Sequence, residues 1–596
     1  MKKYIASIIA ILLLPKLSIF SQAPDETRFT KVELASKLDE PMELTCLNDG
    51  RVLFIERKGA LKQYDPNTGA IKTLATIPVN TKYTNAKGVK REAEEGLMGL
   101  THDPNFDQNH WIYMYYADVE EKKHTLARWE LKGETLVADS KKIMLDVPQQ
   151  REECCHTGGG MTWDKSGNLY LTTGNNTSNS GTPGYANLDE RKGWENWDDQ
   201  RGAGNTNDLR GKILRIKPEA NGGYSIPSGN LYSILPNNGD GLVKKEIYTM
   251  GSRNAWRPTI DSKTGYLYWG EVGPDASADS EQGPKGYDEF NQAKGPSNFG
   301  WPYFIGNNQA YPDWDFETNK LIPNSKQDPN HIVNNSPNNT GLKNLPPAVP
   351  AFIWYPYGIS EEFPLVGASG RSATGGPVFR KANFPKGQRI FPEYYEGKWL
   401  IVEFMRGWIM AITMDENGNY KSMERFMPNT DFGSAIDMDF APDGDLYVLE
   451  YGSAWFRGND NAKLVKVEYN SGNRMPKVVT TADNYSGAVP LKVNFSSKGT
   501  VDPDGDKLSY VWDIEGKKGK IKSAKTANLN YTFLNSGIYN VTLTVKDGKG
   551  EENSESFEVI VGNEPPKVAL NIKNGNKTFY FPNKKLDYEV EVVDRE

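Results

Sequence analysis

An all-β protein is predicted, a propeller of four-stranded blades followed by a separate β-sandwich, and three observations predict it. Helical periodicity is scarce across the 596 residues, and short β-rich runs bounded by turn residues replace it. One phrase returns along the first three quarters: a turn with Asp or Gly, then an alternating aromatic strand. Near Asn470 the texture changes to regular, evenly spaced strands.

The returning phrase reads Asn48-Asp-Gly-Arg-Val-Leu-Phe-Ile and Lys165-Ser-Gly-Asn-Leu-Tyr-Leu-Thr-Thr-Gly. It recurs as Lys263-Thr-Gly-Tyr-Leu-Tyr-Trp-Gly and Pro442-Asp-Gly-Asp-Leu-Tyr-Val-Leu-Glu-Tyr-Gly, with Tyr395-Glu-Gly-Lys-Trp-Leu-Ile-Val a looser copy. A sheet repeated radially gives this pattern, with one inner hairpin per blade. The spacing is irregular, so long insertions are expected, the largest at 176–207 and 306–350. Loops that long usually carry function.

The N-terminus reads as a secretory signal over residues 1–21. Lys2 and Lys3 form a positive start, Ile5 to Leu14 is apolar, and Ser18 to Gln22 offers a small-residue cleavage zone. The mature chain is expected to be periplasmic or secreted, with no membrane span. A net charge of −7 excludes nucleic acid as a partner, because no basic footprint exists. Of three cysteines, the adjacent Cys154 and Cys155 are expected to pair with each other in an oxidising compartment. The order Cys154-Cys155-His156 is not a haem attachment site, since Glu152 stands where that motif needs Cys.

Ser471 to Pro476 reads as a linker, and 476–562 as the sandwich. There, Asp502-Pro-Asp-Gly-Asp-Lys-Leu-Ser-Tyr-Val-Trp512-Asp precedes Gly537-Ile-Tyr-Asn-Val-Thr-Leu-Thr-Val-Lys-Asp547, which resembles a PKD domain, an immunoglobulin-like module with a core Trp and a late Tyr. The pattern at 567–596 starts a further β-module and breaks off mid-strand, so a longer protein is expected.

Five histidines occur, and His156 stands out because Gly158-Gly-Gly160 and a strand follow it. Strand entrances of a propeller face its funnel, which makes His156 a candidate base. Gly251-Ser-Arg253-Asn254-Ala-Trp256-Arg257 places guanidiniums and an amide at a strand end. The carbonyls of Gly273-Pro274 and the acids of Asp288-Glu289 offer oxygen ligands suited to Ca²⁺. Trp194, Trp197, Trp256, Trp301 and Trp314 suit both core packing and sugar stacking.

Several of these phrases occur in one order: Glu95-Gly-Leu-Met-Gly-Leu-Thr-His-Asp-Pro-Asn-Phe106, His156-Thr-Gly-Gly, Gly211-Lys-Ile-Leu-Arg-Ile-Lys-Pro218, Met250-Gly-Ser-Arg-Asn254, Gly273-Pro274 with Asp288-Glu289, Phe299-Gly-Trp-Pro302 and Ala441-Pro-Asp-Gly444. Over residues 25–470 the chain resembles the soluble quinoprotein glucose/sorbosone dehydrogenase family. The resemblance implies a six-bladed propeller that binds pyrroloquinoline quinone (PQQ) and Ca²⁺. It implies oxidation of a sugar or oligosaccharide, with electrons passed to a c-type cytochrome. It implies His156 as the general base, Arg253 and Asn254 on the quinone with Arg253 stabilising reduced charge, and Gly273 and Pro274 on Ca²⁺. Glu94 stands at a cofactor-contacting Gln of the pattern, Met405 at a Lys, and the Ser434–Asp437 segment lacks an arginine pair. Arg371 and Arg406 are the candidates to meet the PQQ carboxylates instead. The alternative expectation is a non-catalytic carbohydrate-binding or adhesive propeller with the PKD module as spacer.

Overall fold

The computed structural model describes residues 23–593 apart from 86, 178–180, 454, 563–565, 574–577 and 579–584, so the signal-peptide reading over 1–21 lies outside the described residues. Two compact units part between Tyr469 and Asn470.

Six blades make up the first unit among the described residues; five are four-stranded, and the sheet of blade 3 gains two short extra strands, Tyr224–Ser225 and Ser297–Asn298. Blade 1 runs Pro41–Cys46, Val52–Glu56, Ala60–Asp65 and Ala70–Thr76. Blade 2 runs Leu97–His102, Trp111–Ala117, Lys123–Lys132 and Thr135–Pro148. Blade 3 takes Met161–Trp163, Leu169–Thr173, Lys212–Pro218 and Ile247–Met250, and blade 4 Ala255–Ile260, Leu267–Glu271, Asp288–Ala293 and Ile353–Tyr355. Blade 5 takes Ala373–Thr374, Trp399–Glu403, Trp408–Met414 and Tyr420–Phe426. Blade 6 joins both ends of the unit: Ala435–Phe440, Leu446–Glu450 and Lys463–Tyr469 are completed by Phe29–Ser36, antiparallel to Lys463–Tyr469. Phe29 anchors this closure, its ring 5.1–5.9 Å from those of Phe391, Tyr395, Phe426 and Tyr469.

Second strands such as Val52–Glu56, Leu169–Thr173 and Trp399–Glu403 are buried along their whole length. Each is covered on both faces by neighbouring blades, which is why apolar residues there occupy both faces of the strand. The outermost strand Ala70–Thr76 is half-exposed and mixes Ala, Lys and Thr. All five copies of the repeated phrase are the turn between a blade's first two strands, and Gly167 and Gly444 take φ of +74° and +97° there, as such turns require. Blade 2 carries no copy because the short helix Phe106–Asn109 fills its turn.

In the second unit a three-stranded sheet (Thr481–Ala482, Leu491–Ser496, Asn528–Phe533) and a five-stranded sheet enclose one core. Trp512 is fully buried in it, and Tyr539 donates its hydroxyl to the carbonyl of Asn535 at 2.8 Å, the tyrosine corner of immunoglobulin-like sandwiches. Lys567–Ile572 and Tyr588–Val593 pair antiparallel beyond it.

Candidate functional site

In each blade the first two strands are antiparallel, so the entrance of the first and the exit of the second lie on one rim. Glu94, His156, Arg253–Asn254 and Arg371–Ser372 precede the first strands of blades 2 to 5. Val272 and Asp275 follow the second strand of blade 4, Phe404 and Met405 that of blade 5, and Trp455 that of blade 6. These residues, with Met98, Trp256, Thr374 and Ile436, line one cavity of about 330 Å³, within the range of ligand sites.

His156 is fixed from both sides. Its backbone N–H donates to Glu94 Oε2 at 3.0 Å and Thr157 Oγ1 donates to the Glu94 carbonyl at 2.6 Å. Cys154 and Cys155 are bonded to each other immediately before it. The glycines that follow permit close packing: a Cβ on Gly159 would lie 2.7 Å from Met98 Cβ, and one on Gly160 2.6 Å from Pro258 Cδ.

The imidazole's protonation follows from its partner. His156 Nδ1 lies 3.0 Å from Asn175 Oδ1, which also accepts the Thr177 backbone N–H at 3.2 Å. The Asn175 amide nitrogen donates to the Asp199 carboxylate. A backbone N–H can only donate, so Asn175 presents oxygen on this side, and Nδ1 carries the proton. Nε2 is left as the basic nitrogen. Burial, followed by the Arg253 charge, holds the imidazole well below its usual pKa, so it is neutral at pH 7. Burial raises the Glu94 carboxyl and pushes Asp199 up to about 6.

Glu271, which the sequence reading did not single out, organises the other wall. Its Oε1 accepts the backbone N–H groups of Arg253 and Asn254, and its Oε2 accepts Trp269 Nε1 at 2.9 Å. Asn254 Oδ1 then accepts the Gly158 N–H at 3.1 Å, tying blade 4 to the loop that carries His156. Arg253 Nη1 donates to the Val272 carbonyl at 3.1 Å. Asn175, Asp199 and Glu271 carried no local motif; only their distant partners mark them.

Two expectations need correction. Arg406 does not line the cavity: its guanidinium donates to the carbonyls of Gly370, Val366, Gly367, Pro356 and Ser369, which fold the 356–370 loop around it. Glu289 does not join Asp288, because successive strand residues face opposite sides. Asp288 accepts the N–H groups of Gly273 (3.1 Å) and Ala373 (2.9 Å), whereas Glu289 accepts those of Gly306 (2.6 Å) and the Asn291 amide (3.0 Å).

The set expected for Ca²⁺ does not fit that ion. Arg371 Nη2 donates to the Pro274 carbonyl at 2.6 Å, and Nη1 lies 3.0 Å from Asp288 Oδ1. A guanidinium stands where the metal would. PQQ fits better: Arg253 and Asn254 line the cavity, and the buried Arg371 charge stands in the same wall. Two guanidiniums face three carboxylates, with Glu94 and Asp275 in the same wall.

A family model described as glucose/sorbosone dehydrogenase matches residues 38–344, and a PKD domain model matches 473–561. The chain belongs to the glucose/sorbosone dehydrogenase family. It is 25% identical over 327 residues to quinoprotein glucose dehydrogenase B of Acinetobacter calcoaceticus, covering 52% of this chain and 60% of that protein. It is 24% identical over 274 residues to the aldose sugar dehydrogenase YliI of Escherichia coli, covering 45% and 60%. The chain thus spans 60% of the length of each of these two relatives. Among solved structures, a glucose dehydrogenase-like oxidoreductase of Thermus thermophilus superposes with a TM-score of 0.49 at 21% identity, covering 74% of this chain and 99% of that one. Over 88 residues the chain is 34% identical to collagenase ColA of Bacillus cereus, 15% of this chain and 9% of that protein.

Proposed function

We propose that the propeller oxidises a hydroxyl group of a sugar, with His156 as the general base and PQQ as electron acceptor. The observation that carries this reading is the neutral, buried His156, with Nδ1–H held by Asn175 and Nε2 left to accept a proton. PQQ, when bound, supplies a two-electron acceptor for the hydride of the carbinol carbon. The chain's own residues do the rest. His156 Nε2 takes the hydroxyl proton, and Asn175 and Asp199 keep the ring from rotating. Arg253 and Asn254 would hold the cofactor's oxygens beside the buried Arg371 charge, and Glu94, raised by burial, opposes an anionic ligand less than an ordinary carboxylate would. Trp256, Phe404 and Trp455 offer apolar faces that exclude water from the cavity.

The leader-like N-terminus supports action outside the cytoplasm, and a c-type cytochrome is the proposed electron acceptor. No helix among the described residues is long and apolar enough to cross a membrane. The absent lysine and arginine pair favours a second reading, a propeller that binds carbohydrate without turnover. Titrating the purified protein with PQQ, then adding a panel of aldoses while following quinone absorbance, separates the two. Stoichiometric binding with sugar-dependent bleaching supports the dehydrogenase, and a protein that binds aldoses but never PQQ is a lectin-like propeller.

A further inference from the structure

We propose that Arg371 is a built-in replacement for the metal ion: its guanidinium holds the cation position at the Gly273–Pro274 loop, so that this propeller takes its cofactor without Ca²⁺. The inference deepens the PQQ reading above and rests on it only for the identity of the ligand.

Three contacts fix the guanidinium. Nη2 donates to the Pro274 carbonyl at 2.6 Å. Nη1 pairs with Asp288 Oδ1 at 3.0 Å, both side chains being 1% exposed. The Tyr357 ring lies 4.0 Å from Cζ, and the Tyr357 hydroxyl is itself held by Asp275 at 3.1 Å. The backbone is shaped for this approach. A Cβ at position 286 would lie 1.6 Å from the Pro274 oxygen and 3.0 Å from Arg371 Nη2, so Gly286 is needed for the carbonyl to reach the guanidinium. Asp288 is in turn locked by the N–H groups of Gly273 and Ala373. Blades 4 and 5 are therefore joined through one buried Arg–Asp pair.

A divalent ion on the Pro274 carbonyl would have to displace the 2.6 Å bond and then sit beside a buried monocation, which like-charge repulsion forbids. The guanidinium can do at this place what a metal does electrostatically. It is permanently charged and buried beside the cavity, so its charge acts on an anionic ligand there through a low-dielectric wall. With Nη2 on Pro274 and Nη1 on Asp288, this guanidinium cannot chelate a ligand as an ion can, so it acts on the ligand through its charge.

The test uses the full chain, stripped with chelator, with PQQ as probe followed by absorbance and Ca²⁺ followed by calorimetry. Wild type is expected to bind PQQ with the same affinity in chelator and in Ca²⁺. Arg371→Gln is expected to take up one more Ca²⁺ per chain than wild type and to bind PQQ only when Ca²⁺ is present. The difference in stoichiometry removes any contribution from the PKD unit, which is identical in both. A wild-type protein whose PQQ affinity rises about tenfold or more with Ca²⁺ overturns the proposal. That arm decides even where the Gln variant does not fold. If neither form binds PQQ while the variant gains one Ca²⁺, the cation position is as proposed and the cofactor reading fails.

Discussion

Replacing His156 with alanine removes the one neutral imidazole in the cavity, and the surrounding contacts set the size and selectivity of the loss. A positioned general base contributes about 10²–10⁴ in rate, roughly 3–5 kcal/mol of barrier. The fold should tolerate the change. The ring borders an existing cavity, and Asn175 Oδ1 keeps the Thr177 N–H at 3.2 Å, so no buried acceptor is orphaned. PQQ binding should be little altered, because the groups assigned to the cofactor, Arg253, Asn254 and Arg371, belong to blades 4 and 5. The assay is single-turnover stopped flow on the PQQ-loaded protein with saturating aldose, across pH. Wild type should show no loss of rate on descending from pH 8 to 6.5. The base must be neutral, and its pKa is held well below 6.5, so an acid limb from His156 falls beneath that value. His156→Ala should lose that limb together with the rate. A variant that keeps the full rate refutes the assignment, and if Glu94→Gln is then the one that loses the rate, the proton goes to Glu94.

Met405, 56% exposed at the cavity wall, stands where a lysine would meet the cofactor; Met405→Lys should tighten PQQ binding by about tenfold or more, and an unchanged titration would show that this wall does not meet the ligand. Stability should rise as pH falls from 8.5 to 6. Burial pushes Glu289 and Glu403 up to about 8 and Glu271 to about 7, so between their unfolded and folded pKa values the native state binds more protons and rising pH destabilises it; a Tm flat over that range would mean these carboxylates are ionised in place. Deleting 23–36 removes the Phe29 strand that closes blade 6, and circular dichroism should show the loss of the propeller's cooperative melt. Trp512→Ala should cost the sandwich about 3–5 kcal/mol and lower its calorimetric transition, because the indole is fully buried.

The radial fold was legible because five of the six blades repeat a turn that needs a positive-φ glycine before a buried strand, a local constraint that leaves its mark in the sequence. The one blade without the phrase shows the limit, since the Phe106–Asn109 helix meets the same need with different residues. The site was legible in part for the same reason. Strand-entrance residues such as His156, Arg253 and Asn254 are placed by the repeat itself and do line one cavity. Asn175, Asp199 and Glu271 were not, because each acts on a partner from another segment. The two arginines separate the cases most clearly. Arg371 and Arg406 look alike in sequence, each just outside a blade 5 strand. Alternation and loop length alone decide that one guanidinium reaches Pro274 and Asp288 across the cavity wall, while the other is enclosed by five carbonyls of its own loop. A charge's meaning in this propeller is therefore set by which backbone oxygens are left facing it. The Pro274 oxygen is left facing Arg371 by Gly286, a residue with no side chain at all.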